Sequence, residues 1–376
     1  MSPRASGPTA SPTANPNTGH NTGRRQFLGG LLAAGLIPRP SWADVGSPTF
    51  LSAAATRDGA HILAGIRADL AVAFQFPLPA RGHAAAAHPT RPEAVAFARR
   101  PGTYAVVIDC RSGAQKAVLR APEGRHFYGH GAFSADGDLL FTTENECEAG
   151  QGRIGVWDAA RGYARVDDWA SGGVGPHDIK RLPDSEVLVV ANGGIETHPD
   201  SGRTKLNIPT MRPNLAYLEQ GQVLETASLP AALHKNSIRH LALGCTGEVA
   251  FGMQWQGAGA VSGLVGSHRR GEPITLSHSD AAHLRDMQGY IGSIAVSSDG
   301  ATLAVTSPRG GKTQIYAAAT LALLETHEIA DVCGVVLQGD GFTVTSGTGE
   351  IRHLGGRRGV SVTHSNLMWD NHLIAL

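Results

Sequence analysis

The sequence predicts an all-β fold: a seven-bladed β-propeller of four-stranded antiparallel blades, closed by strands from both chain ends, with six blades as the alternative. Three observations lead there. Glycine is abundant, at 48 of 376 residues, beside 21 prolines and few aromatics, the composition of a chain with many turns and no long helical pattern. Turns rich in Asp, Gly and Pro recur between pairs of apolar strands, starting at His88, Ser134, Leu182, Gly244, Ser297 and Gln338. Their spacing of 41 to 62 residues suits propeller repeats of about 40–45 residues with insertions. Each turn unit then supplies two more short strands, as at Arg153–Asp158 with Tyr163–Asp168 and at Thr313–Tyr316 with Leu323–Ile329, which makes four per blade.

Taken in chain order, residues 1–43 stand apart. A Ser/Thr/Pro/Asn/Gly tract precedes Arg24-Arg25-Gln26-Phe27-Leu28, an apolar run from Gly29 to Ile37 and a small-x-small site at Ser41-Trp42-Ala43. This order reads as a twin-arginine signal peptide cut after Ala43, and the expected location is the bacterial periplasm. The apolar run is short of the ~20 residues that span a bilayer, so no membrane span is expected in the mature chain. Residues 44–376 form the propeller, at about 48 residues for each of seven blades. Strands at Phe50–Ala55, His61–Ile66 and Ala71–Phe76 are expected to share a blade with His372–Leu376, which closes the ring and hides its edges. The longest gap contains a polar insertion, Glu196–Pro213, long enough to carry function. Cys110, Cys147, Cys245 and Cys333 show no C-x-x-C or haem-attachment spacing and are expected mainly as free thiols, with Cys147 the accessible one. Equal counts of basic and acidic residues, 32 each, give no reason to expect nucleic acid or an anionic membrane as partner.

In a propeller the start of each innermost strand and the end of the next one out lie on one face. Inner-strand starts carry His83, His130, His177 with Asp178, Arg239 with His240, Tyr290, and Asn371 with His372. The ends of second strands carry Glu144-Asn145-Glu146, Asn192, Gln254 and Arg309. The turns on the opposite face are ordinary Asp/Gly turns. Counting back from the turns makes His130, Asp178 and His240 equivalent and displaces His177 by one, which in a regular strand turns a side chain to the other face.

Imidazoles around a channel mouth suit a transition metal, iron or copper first, with His83, His130, His177, His240, His372 and Glu146 as candidate ligands and Glu144 as a second carboxylate. The other reading of each histidine is a hydrogen bond to a neighbouring blade's backbone. Glu144, Asn145, Asp178, Asn192, Asn236, Arg239, Gln254 and Arg309 are candidate contacts to a small ligand, the arginines suiting an anionic one; a solvated inter-blade ion pair is the alternative for either arginine. No H-E-x-x-H or G-x-S-x-G occurs. Gly310-Gly311-Lys312-Thr313 lacks the first glycine of a phosphate loop and precedes a strand, so no nucleotide site is expected there.

These motifs together, Gly129-His-Gly-Ala-Phe133, Thr143-Glu-Asn-Glu146, Gly175-Pro-His-Asp178, Ala191-Asn-Gly-Gly194, Asn236-Ser-Ile-Arg-His240, Gln254-Trp-Gln-Gly257, Gly289-Tyr-Ile-Gly-Ser293 and Thr306-Ser-Pro-Arg-Gly310, resemble a bacterial family catalogued as domain of unknown function 1513, over essentially the whole mature chain. The resemblance implies a periplasmic propeller of the WD-like or quinoprotein-dehydrogenase-like type. It also implies a part in iron or other metal acquisition beside imelysin-type periplasmic proteins. It transfers no catalytic residue. Three functions stay open: a protein that binds a metal or small ligand, a metal-dependent oxidoreductase or lactonase-type hydrolase at the same face, and a platform for protein interaction.

Overall fold

The computed structural model describes residues 40–99, 102–202, 204–259, 261–278, 280–356 and 359–376. The twin-arginine motif and the apolar run after it lie outside the described residues. Ser41–Leu376 form one unit, and its strands make seven four-stranded antiparallel sheets, the blades of a propeller. Blade 1 combines Phe50–Thr56, His61–Ile66 and Val72–Leu78 with the C-terminal strand Leu367–Ala375 as its innermost member. Blades 2 to 7 each take four consecutive strands, beginning at the inner strands Gly82–Ala87, Arg125–Phe133, Pro176–Arg181, Asn236–Leu243, Ser293–Val296 and Val332–Gln338.

The first and last strands meet in blade 1. Phe50 pairs with Ala375 and Thr56 with Leu367, and the Leu376 N–H donates to the Thr49 carbonyl at 3.0 Å. Ahead of the first strand, Trp42–Val45 form a short 3-10 turn. Its start is held by the Ser41 N–H donating to the Asp44 carboxylate at 2.7 Å. The Trp42 indole N–H donates to the His88 carbonyl at 3.1 Å, and Trp42 and Val45 pack on the cluster between blades 1 and 2. A cut after Ala43 falls inside this turn and removes the indole contact.

Seven apolar clusters hold the ring, each spanning two adjacent blades. Phe97, Phe127 and Trp157 join blades 2 and 3, while Phe50, Ile351 and Trp369 join blades 7 and 1. The burial pattern along a blade explains the residue types. Second strands such as Leu188–Asn192 are buried throughout and read as unbroken apolar runs, because both faces meet a neighbouring blade. Outermost strands such as Gln222–Ser228 are largely exposed and carry polar residues. Among the described residues no helix is long and apolar enough to cross a membrane. The four cysteines are free, but Cys147 is buried and Cys245 is the exposed one, the reverse of the expectation. Cys147 is shielded beneath the polar insertion, where the Asn145 side-chain amide, two residues away, donates to the Thr197 carbonyl at 3.1 Å.

Candidate metal centre

The inner strands are not regular at the ends that meet around the axis. Pairing with the next strand slips between Gly82 and Ala85, Phe127 and Gly131, Pro176 and Asp178, and Ile238 and His240. It also slips opposite Ser52 and Ala54, where Trp369 and Leu373 are the partners. His83, His130, His177 and His372 lie inside these bulges, and His240 is the first residue beyond one. A bulge re-aims side chains that strict alternation would send elsewhere. The one-residue displacement of His177, counted from its turn, is the bulge itself, so the alternation of a regular strand does not apply there.

The five imidazoles converge. Ring centroids of His83 lie 5.0 Å from His130, 5.8 Å from His177 and 4.6 Å from His372. His177 and His240 are 4.8 Å apart, and His240 and His372 5.0 Å. His83, His130, His240 and His372 are all more than nine-tenths buried. Two triads have potential ligand nitrogens within 4.8 Å of one another: His83, His130 and His177, and His130, His240 and His372. The backbone allows this crowding partly through Gly129, at φ +101°, where a Cβ would stand 2.6 Å from the His83 ring.

His130 belongs to both triads, and its two nitrogens face different partners. Its Nδ1 lies 3.1 Å from the Asp178 carboxylate and donates to it. That carboxylate also accepts from the backbone N–H of Ile179 at 2.8 Å and of Leu241 at 3.0 Å, with Lys180 3.9 Å away. The Asp178 carboxyl group is held well below the usual carboxylate range, because Lys180 and His130 outweigh the opposing cost of its burial. With Nδ1 on Asp178, His130 turns its Nε2 toward His83, whose Nε2 it meets at 3.3 Å, a hydrogen-bond contact whose donor and acceptor are set by the tautomers. Two imidazoles bound tetrahedrally to one ion at about 2.0–2.1 Å have nitrogens about 3.3 Å apart. The remaining nitrogens give the same impression: His83 Nδ1, His177 Nδ1, both nitrogens of His240 and His372 Nε2 are buried without a hydrogen-bond partner, which is costly for groups bound for nothing. Burial keeps these rings neutral, as a metal ligand must be. It lowers the His240 pKa to about 3. His83, His177 and His372 are likewise pushed well below the ordinary imidazole range, by burial above all.

A cavity of about 150 Å³ opens on the cluster, lined by His83, His177 and His240 together with Arg99, Arg239, Tyr128, Gln254, Tyr290 and Asn371. Arg239 and Gln254 were anticipated as contacts. Gln254 is oriented by donating to the Ile291 carbonyl at 3.2 Å. Arg99 and Tyr128 were missed. Arg99 follows the second strand of blade 2, the position that supplies Asn192 and Gln254 elsewhere, so its signal was present. Tyr128 lies within the blade 3 bulge and has no sequence signal. The inner strands of blades 6 and 7 add no imidazole. In blade 7 the corresponding bulge holds Cys333, whose thiol donates to the Asp331 carbonyl at 3.1 Å and is pushed up to about 12 by burial.

Other candidates do different work. Glu144 and Glu146 are not among the groups at the axis. Glu144 is fully buried and takes both arms of Arg165, at 2.7 and 3.0 Å. Glu146 lies 3.5 Å from Arg125 and 3.7 Å from Arg153. With Asp168 they make a network of three arginines and three carboxylates within blade 3. Its charge is satisfied locally, which is why neither carboxylate reaches the ring centre. Asn192 bonds Asn214 within blade 4 and Ser171 at the edge of blade 3. Asn236 donates to the Gly263 carbonyl at 2.7 Å. The Arg309 guanidinium lies over the Tyr290 ring, 4.5 Å from its centroid. Asn145 anchors the insertion, as above.

The fold and its centre define a class: a closed seven-bladed propeller with a buried imidazole cluster at one end of its axis. The chain belongs to the family described as Protein of unknown function (DUF1513), which matches residues 76–376. No curated protein matches it. Among solved structures it is similar to hydrazine synthase of Kuenenia stuttgartiensis, at 14% identity and a TM-score of 0.58, over 88% of this chain and 98% of that one. At this identity the likeness speaks for the fold alone.

Proposed function

We propose that this protein is an exported metal-binding propeller that holds a transition-metal ion on the imidazoles at its axis, drawn from one of the two triads that share His130. The observation that carries the reading is His130 itself, with Nδ1 on the Asp178 carboxylate and Nε2 at metal-ligand spacing from His83. A carboxylate behind a histidine is the usual outer support of a bound metal. Imidazole donors suit iron, copper, zinc or nickel. The periplasmic location rests on the leader sequence, and a link to iron acquisition rests on the family resemblance. The cavity beside three of the imidazoles favours, as a second reading, an oxidoreductase, since a reactive ion keeps an open position and a structural one does not.

The test is metal analysis of protein exported with its own leader and purified without chelators. Near-stoichiometric iron, copper or zinc is expected, and His130→Ala/His177→Ala protein should contain none. Protein that stays metal-free after loading with each of the three in turn would overturn the proposal and leave the interaction platform. A further expectation separates Asp178 from the ligands. Asp178→Asn should still bind metal, but about 10–100-fold more weakly, as read by competition with a chromogenic chelator. An affinity equal to wild type would show that the carboxylate does not support His130.

A further inference from the structure

A second pocket, roomier than the one at the axis, lies where the chain crosses from blade 5 to blade 6. Trp255, Val261 and Leu284 give it an apolar wall, and Arg285, Gln288 and Arg309 a polar one. The two arginines come from segments that are pinned together. Arg285 belongs to the short helix Ala281–Asp286, and Arg309 to the turn that follows the second strand of blade 6. At the start of that turn the Ser307 hydroxyl donates to the Met287 carbonyl at 2.9 Å and accepts from the Gly310 N–H at 3.1 Å. Gly310 passes so close to the helix end that a Cβ there would stand 1.9 Å from the Asp286 carbonyl oxygen. The indole is held as firmly. The Trp255 N–H donates to the Gly289 carbonyl at 2.8 Å, and its side chain packs on the cluster that contains Leu284 and Met287.

Neither guanidinium has an acidic partner. Among the described residues Arg285 and Arg309 form no ion pair and donate no side-chain hydrogen bond, and Asp286, next to Arg285 in sequence, acts on Lys312. Arg309 instead lies over the Tyr290 ring, 4.5 Å from its centroid. Such stacking fixes the plane of a guanidinium and leaves the N–H groups along its edge unspent.

We infer that this pocket binds a small aromatic carboxylate. Its ring rests on Trp255 and Leu284, and its carboxylate takes the N–H edges of Arg309 and Arg285. The planar guanidinium fork matches a pair of carboxylate oxygens. Apolar walls with a few placed polar groups are what a small-molecule site requires, and groups already held in position lose little freedom on binding. The site lies outside the metal reading and does not depend on it.

Phenylacetate and phenylacetamide are the probes, because they share a ring and differ in charge. Calorimetric titration of the purified protein should show saturable binding of phenylacetate, with the amide weaker by roughly tenfold or more. Cyclohexylacetate, which keeps the charge and lacks the aromatic ring, should also bind more weakly. Arg285→Gln and Arg309→Gln change exposed side chains. Each should weaken phenylacetate by roughly tenfold and leave phenylacetamide unchanged, a pattern that general damage to the fold does not produce. The inference is overturned by any of four results: no saturable binding of phenylacetate, equal affinity for the amide, equal affinity for cyclohexylacetate, or wild-type affinity in either arginine variant. The wild-type comparison of the three probes needs no variant, and metal content plays no part in the readout.

Discussion

Glu144→Ala should lose about 3–5 kcal/mol of stability, the usual result of removing one partner from a buried ion pair, while its metal content stays at the wild-type level. Glu144 has no exposed surface and is the shared acceptor of Arg165, through two short contacts, and of Thr142 at 2.9 Å. Arg125 lies 3.7 Å from it. Without the carboxylate, Arg165 is left against the Trp157 ring, 5.0 Å from its centroid, with Asp168 as its remaining acidic neighbour at 3.6 Å. Nearby Gly155 shows how tightly the carboxylate is built in: a Cβ there would stand 2.1 Å from a Glu144 oxygen. Equilibrium denaturation measures the loss and metal analysis the retention. A variant of normal stability that has lost its metal would place this carboxylate in the coordination sphere after all.

Metal-free protein should be acid-labile well above the pH at which carboxylates protonate. His83, His177, His240 and His372 are neutral in the fold, with His240 lowered to about 3 and the other three well below 6.5. In the unfolded chain each titrates near its ordinary value of about 6.5. Below that pH the unfolded state binds more protons, so folding stability falls as pH falls, by about 1.4 kcal/mol per pH unit for each imidazole. Four acting together approach a slope of about 5 kcal/mol per pH unit, continuing down to the folded-state values. Denaturation midpoints of chelator-treated protein between pH 7.5 and 5 provide the measurement. A stability that is flat across that range would mean the imidazoles are not held neutral. His240→Gln, which removes one of the four, should show a shallower fall.

The propeller was legible because its signals are local and repeated. Turns such as Ser134-Ala-Asp-Gly137 and Ser297-Ser-Asp-Gly300 state their own geometry, and the shared blade of residues 50–78 and 367–375 followed from the need to close an open edge. The gathering of five histidines was legible for the same reason, since each lies on an inner strand. The bulges were not. Strand alternation is the rule that would have turned His177 away, and the slip between Pro176 and Asp178 depends on how the whole blade end packs. The roles of Glu144 and Asp178 were also hidden. One acidic residue looks like another until Arg125, Arg153 and Arg165, from three different strands, are seen around Glu144, and until Asp178 is seen behind His130.

The C-terminal strand has a consequence for timing. It carries His372 into the centre and is held in place by blade 1, where the Ser52 hydroxyl donates to the His372 carbonyl at 2.8 Å. A chain still emerging from the ribosome, or one truncated before Leu367, has four of the imidazoles but neither the fifth nor a sealed ring. An ion that bridges His130, His240 and His372 would join the strand that closes the ring to the middle of the polypeptide and resist the peeling away of that strand. Capture of the ion would then mark the moment at which the ring is sealed.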